Sequence, residues 1–295
     1  HEAGFKGKGM RVAVVDAGFM NVDRISVFDS LRLLGTHNVV FPGRSVFIGD
    51  DHGTKVLSCL AADAPGLMVG TAPQAEYWLI KSGDSRSEFP IEEDYWTAAM
   101  EFADSVGVDV VSSSLGYFSF DVEALNYHQD QLDGRTSLIS RAAKMASSKG
   151  ILLFSSAGNE GGGSWGKITF PADAPDILTV GAITDRKKKS NFSSVGFTAD
   201  YRVKPDVVAL GTGCCVIDPT GNIRYANGTS FATPILAGLG VCLWQAFPSL
   251  TNKDIISLLQ RFGSKFEQPD AELGYGIPDV YKAYKQERKY AAEYK

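Results

Sequence analysis

Four cysteines in 295 residues is few, and they form neither a CxxC pair nor a Cys/His spacing of the kind that holds zinc. Cys59 and Cys242 fall in apolar, helix-like runs and read as small buried hydrophobes. Cys214 and Cys215 are neighbours, between which a bond would be strained. Basic charge is also in short supply: 29 Lys and Arg against 34 Asp and Glu leave a net charge of −5. That balance argues against a nucleic-acid or anionic-membrane surface. The one basic run, Arg186-Lys187-Lys188-Lys189, follows a strand-like segment and reads as a solvated loop. No segment approaches the apolar length needed to cross a bilayer, so no membrane span is expected. The opening HEAGFKGKGM carries no signal-like apolar core, which fits a cytosolic or already trimmed chain. Internal repeats and low-complexity linkers are missing as well.

What is present is material for one large core: 44% hydrophobic residues and only 21% charged. Short apolar runs alternate with helix-period segments. MRVAVVDAG reads as a buried strand, VVF and SVFI as short strands, and HGTKVLSCLAA as a helix. EYWLIKS is strand-like; EEDYWTAAMEFADSVG is helical, with Tyr95, Ala98, Ala99 and Phe102 on one face. VDVVSSSLG, ILLFSSAGN and ILTVGAI are further strands, with a helix in SLISRAAKMASSKG ended by Gly150. Two helices, Thr229 to about Phe247 and Asn252 to Phe262, come last. V/I/L-rich strands alternating with helices predict an α/β fold with a parallel sheet covered on both faces. The whole chain, 1–295, reads as a single domain, with a polar, helix-prone tail from about 285 to 295.

Chemistry in such a sheet gathers outside the carboxyl ends of the strands. Asp16 closes the first strand in VVDAG, and a charge after four apolar residues needs a partner; a turn-capping Asp is the alternative. Only four histidines occur, and His52 alone opens a helix leading into the core, a setting that can fix the orientation of a general base. Asp50 and Asp51 adjoin it, but a carboxylate that holds an imidazole should lie buried behind it, which suits Asp16 better. Asn159 ends a strand before EGGG; it is ordinary turn chemistry or an amide donor to an oxyanion. In NGTSFATP, Ser230 is an N-cap or a nucleophile at the positive end of a helix, with Pro234 suited to the first turn. On that segment alone the cap reading leads.

Asp16, His52 and Ser230 occur in the order Asp…His…Ser, the order of subtilisin and not of chymotrypsin or the α/β-hydrolases. The chain resembles the subtilisin-like serine peptidases in VAVVDAG, DHGTKV, SSSLG, SSAGNEG, FSSVG, KPDVVALG and NGTSFATP, which follow one another in family order. The resemblance implies a three-layer α/β/α sandwich on a seven-stranded parallel sheet, and hydrolysis of peptide bonds. It makes Ser230 the nucleophile, His52 the base, Asp16 its orienting carboxylate, and Asn159 with the Ser230 N–H the oxyanion donors, Thr229 supporting the loop. Ser114, Leu115 and Gly116 become an edge on which substrate adds as a strand. Ser155, Ser156, Ala157 and Gly158 form the other wall of the S1 pocket; with Thr169 they suggest a neutral pocket of moderate size. Glu92, Glu93 and Asp50 become acidic walls favouring Lys or Arg upstream, unless the first two are a solvated helix start.

The sequence also departs from the pattern. Lys55 stands where a second histidine is usual, and Tyr117 follows SLG where small residues are common, making a bulkier rim. AADAPGLMVGTAP lacks an oxygen-rich calcium loop, so neither metal nor other cofactor is inferred. The expected partner is a peptide or protein substrate, acted on by a secreted, periplasmic or cell-surface enzyme whose pro-segment and signal have been removed. Rival functions are an exopeptidase, with Glu92 and Glu93 binding a free amine, a narrow processing protease, or a non-catalytic binding module.

Overall fold

The computed structural model describes residues 1–293. The elements run β1 (Arg11–Asp16), β2 (Arg32–Asn38), α1 (His52–Ala61), β3 (Asp63–Ala64), β4 (Met68–Val69), β5 (Glu76–Lys81) and α2 (Ile91–Ser105). They continue with β6 (Val110–Ser113), α3 (Leu138–Ser148), β7 (Leu152–Ser156), β8 (Leu178–Ile183), β9 (Val207–Leu210), β10 (Cys214–Ile217) and β11 (Ile223–Ala226). Helices α4 (Thr229–Ala246), α5 (Asn252–Arg261) and α6 (Val280–Glu293) complete the chain.

Seven strands form one parallel sheet in the order β2-β5-β1-β6-β7-β8-β9. Alternation along β1 sends Val12 and Val14 to one face and Ala13 and Val15 to the other. The first face packs on α1, α4 and α5 through Leu57, Leu60, Leu236, Val241 and Ile255. The second packs on α2 and α3 through Trp96, Met100, Ile139 and Ala143. Burying each large side chain of this kind contributes about 1.5–3 kcal/mol. This is the expected three-layer α/β/α sandwich. From β1 the chain runs to the edge strand β2, returns to β5, and then crosses to β6 on the other side of β1. The direction of winding therefore reverses around β1, which opens a crevice at its carboxyl end, where Asp16 lies.

Several expectations fail for identifiable reasons. The second strand is RLLGTHN, not VVF or SVFI, which form bends and loop. It pairs only with β5 and is largely exposed, so it lacks the apolar run that marks a strand. His37, placed in a turn by its sequence, lies in this strand with its ring stacked 4.0 Å from that of Phe102. On α2 the buried face is Glu92, Glu93, Trp96, Ala99, Met100 and Ala103, rotated from the Tyr95–Ala98 stripe because two glutamates occupy core positions. Helix α4 is, by length and composition, apolar enough to cross a membrane; 72% of it is buried inside the protein, as a core helix. The polar tail continues α6 as far as Glu293, and earlier in that helix the Tyr284 ring packs 5.6 Å from Phe5 and 5.7 Å from Phe247; residues 294 and 295 lie outside the described residues.

Candidate active site

Asp16 is fully buried, and its Oδ1 lies 2.8 Å from His52 Nδ1 while accepting the Ala17 N–H at 2.8 Å. The glycine after His52 permits this approach: a Cβ on Gly53 would come within 2.5 Å of the Gly18 carbonyl and 2.9 Å of the Asp16 Cβ. Asp50 lies half-buried and accepts the His52 N–H through Oδ1 at 2.8 Å, so it fixes the start of α1. Lys55, in the place of a second histidine, pairs with Asp51 one helical turn back at 2.7 Å. Burial, the largest influence on the His52 imidazole, disfavours its charge; the Asp16 charge and hydrogen bond, helped by Asp50, outweigh it and raise its pKa above 6.5.

Ser230 is not the N-cap. That position belongs to Gly228, and Ser230 is the second residue of α4, 6% exposed. Its N–H lies in the first turn, where no intrahelical acceptor exists, and it has no other acceptor among the described residues. Pro234 sits in the second turn, not the first, so the bond it would donate to the Ser230 carbonyl is missing. The Ser114 hydroxyl supplies that bond at 2.9 Å, and the Ser230 hydroxyl points back to the Ser114 carbonyl at 3.4 Å. No hydrogen bond joins Ser230 to His52 in this state, although the His52 ring lies 5.9 Å from that of the adjacent Phe231.

Asn159 is exposed, and its Oδ1 accepts both the N–H and the hydroxyl of Thr229, at 2.9 and 3.0 Å. Holding the oxygen this way leaves the Nδ2 donor free. The two strand exits, Ser114–Gly116 after β6 and Ser155–Gly158 in and after β7, lie side by side, with Ser113 opposite Ser155 in the sheet. Leu115 is half-buried and Gly116 open, whereas Ser155, Ser156 and Ala157 are buried and only Gly158 is partly open.

The acidic residues of α2 behave differently from the sequence reading. Glu92 and Glu93 are 4% and 5% exposed, neither a solvated helix start nor acidic walls. Glu92 Oε2 accepts the Asp84 N–H at 3.1 Å and the Tyr117 hydroxyl at 3.4 Å, while its buried Oε1 has no partner among the described residues. Glu93 accepts the Tyr127 hydroxyl at 2.9 Å. Burial pushes both carboxyls up to about 7. Tyr117 is 3% exposed and packs inward, so it does not thicken the pocket rim. The signal that could have found this is the pair of tyrosines following SLG, two phenols within reach of two acids.

Fold and site together define a doubly wound α/β protein that gathers an aspartate, a histidine and a helix-start serine at the carboxyl ends of its strands. Its membership is settled by comparison: the Subtilase family (Peptidase_S8) matches residues 7–276, and the chain belongs to that family. M-protease of Shouchella clausii (strain KSM-K16) is 30% identical over 259 residues, covering 86% of this chain and 59% of the relative. Subtilisin Savinase of Lederbergia lenta is 30% identical over 259 residues, covering 86% and 83%. The chain thus spans about three fifths of M-protease. Among solved structures, the patellamide maturation protease PatA is 23% identical, with 96% of this chain and 98% of that one covered and a TM-score of 0.75. MycP1, a serine protease of the type VII (ESX-1) secretion system, is 20% identical, with 96% and 85% covered and a TM-score of 0.75. These two share the fold.

Proposed function

We propose that the chain is a serine endopeptidase working through Asp16, His52 and Ser230, with Asn159 in the oxyanion hole. The observation that carries the reading is the His52 Nδ1–Asp16 Oδ1 contact of 2.8 Å, with Asp16 fully buried behind the ring. That contact presents the opposite ring nitrogen to solvent as a base. The Ser230 hydroxyl turns from the Ser114 carbonyl to this nitrogen, gives up its proton and attacks the scissile carbonyl. The negative oxygen that forms meets two free donors, the Ser230 N–H and Asn159 Nδ2, aided by the positive end of α4. His52 then passes the proton to the leaving amine, and water repeats the sequence on the acyl group. The chemistry calls for no cofactor.

A narrow processing protease in the same fold is the second reading, favoured by the naming of solved neighbours as a maturation protease and a secretion-system protease. The exopeptidase form has lost its support, because Glu92 and Glu93 are buried against phenols. A binding module would leave the free donors at Ser230 and Asn159 without a use. The test is a fluorophosphonate label together with hydrolysis of an internally quenched peptide. Wild type labels at Ser230 and turns over; Ser230→Ala does neither, losing on the order of 10⁶ in rate. Asn159→Ala keeps KM and loses about 10²–10³ in kcat. Unlabelled wild type with no hydrolysis would return the chain to the binding-module reading.

A further inference from the structure

Beside Asp16 in the sheet lies a lysine that the chemistry has not used. Lys81 ends β5, and the register sets it directly opposite Asp16 across the parallel pair. Alternation puts both on one face: Asp16 follows Val12 and Val14, and Lys81 follows Tyr77 and Leu79, in the layer covered by α1 and α4. Lys81 is 7% exposed, and the one hydrogen bond its ammonium makes among the described residues goes to a neutral group, the Ala17 carbonyl. That carbonyl belongs to the residue whose N–H donates to Asp16 Oδ1 at 2.8 Å. Ala17 is therefore gripped at its N–H by the carboxylate and at its carbonyl by Lys81. The turn after β5 closes over the same place: the Ser82 N–H donates to the Asp16 carbonyl at 3.0 Å, and a Cβ on Gly83 would lie 3.1 Å from the Ala17 Cα and Cβ.

An ammonium so enclosed is costly, because a buried charge needs a paired partner and its three donors need acceptors. Asn38, its sheet neighbour on the other side, does not help: its amide donates to the Arg44 carbonyl at 3.2 Å and accepts the Phe41 N–H at 2.8 Å. Methionine would fill the same space without a charge. What favours the charge is the surrounding field. Burial opposes it most and Arg86 adds to that, while Asp50 from the loop before α1, Asp84 from the turn after β5, and Asp16 from β1 support it. Two of these acids also act on the imidazole: against burial, the largest influence on the His52 ring, Asp16 and Asp50 raise its pKa, and Lys55 opposes them. Asp16 Oδ2 is buried with no hydrogen-bond partner among the described residues, so its charge is compensated on one oxygen only.

We propose that Lys81 is a positioning residue for His52, holding the Asp16–Ala17 turn in place and offsetting the acidic charge around the imidazole. The inference rests on the peptidase reading of His52 as the base and adds a residue to it. The two acids draw a proton onto the ring, and a base serves best when its pKa lies near the operating pH. A fixed cation beside Asp16 limits that draw.

Lys81→Met removes the charge and keeps the bulk. In a kcat/KM profile on an internally quenched peptide, its acid limb should lie about half a pH unit above that of wild type. At the alkaline plateau kcat should fall about tenfold with KM unchanged, as the turn behind His52 loosens. Lys81→Arg keeps the charge and should return the limb to its wild-type position. The ring is also read without turnover, by NMR titration of the His52 resonances in Ser230→Ala with and without Lys81→Met. A ring pKa raised by Lys81→Met alongside an inactive wild type would discard hydrolysis and support the place of Lys81 beside His52. A ring pKa that Lys81→Met leaves unmoved would overturn the proposal, whatever happens to the melting temperature, because a lysine that only braces the turn leaves the titration alone.

Discussion

Asp16 and Glu92 are carboxylates shut away from solvent almost equally, at 0% and 4% exposure, yet their surroundings have opposite consequences. Asp16 sits at a strand end where the sheet changes its winding, and a basic ring meets it at 2.8 Å. Glu92 sits in the first turn of a helix, and its partners are a phenol and an amide, with Glu88 and Asp84 adding like charge. The helix dipole favours an acid at this position by at most a kcal/mol or so, too little to offset burial. Burial alone therefore does not decide what a carboxylate can do. What matters is whether the fold supplies a group that gains from its charge.

The largest effect should come from the charge at the strand end. Asp16→Asn keeps the shape but removes the charge behind His52, and kcat/KM should fall by about 10⁴ with circular dichroism unchanged. A loss under tenfold would put Asp16 and Glu92 in one class and erase the contrast.

A smaller effect concerns the ring that Asp16 meets. Under the proposed mechanism His52 must be neutral to take the Ser230 proton, and its pKa is raised, so activity should be lost as pH falls through a value above 6.5. Asp50→Asn removes one of the charges that raise it and should move that limb downward by a fraction of a pH unit in a kcat/KM profile. A limb unmoved by Asp50→Asn would confine the carboxylate to holding the His52 N–H.

The smallest effect concerns stability. Glu92 and Glu93 have pKa values raised from 4.5 to about 7, so the folded state holds their protons more tightly than the unfolded chain. Their unfavourable contribution is absent below pH 4.5, grows as pH rises from there to about 7, and is complete above that. Glu92→Gln should therefore raise the melting temperature at pH 8 and matter little at pH 5, with each kcal/mol worth about 2–4 °C in a protein of this size. Equal melting shifts at the two pH values would show that Glu92 is satisfied as an anion.

The parts legible in the sequence were those written in local pattern. Strand–helix alternation predicted the sheet, and short blocks ending in Asp16, opening at His52 and surrounding Asn159 and Ser230 marked residues that the fold brings to the carboxyl ends of the strands. Partners distant along the chain were not legible. Tyr117 and Tyr127 lie 25 and 34 residues from the glutamates they meet, and without them two acids at a helix start read as solvent-facing. The edge strand was hidden because exposure removes the apolar signature. Taken alone, the segment around Ser230 reads as a cap, as Ser before an apolar run does, whereas Gly228 takes that position with an extended backbone.

The reciprocal clasp between Ser114 and Ser230, created because Pro234 cannot close the helix's own bond, has a mechanical consequence. The peptide unit that carries the Ser230 hydroxyl is fastened to Ser114, on the segment that the proposed function makes the rail for a substrate backbone. A chain that seats squarely on Ser114–Gly116 leaves the fastening undisturbed and meets the hydroxyl in line. A chain that seats askew pulls on the fastening and drags the hydroxyl with it. Under the proposed mechanism alignment is then checked twice, once by how tightly a peptide holds and again by whether the Ser230 hydroxyl is still in place when it does.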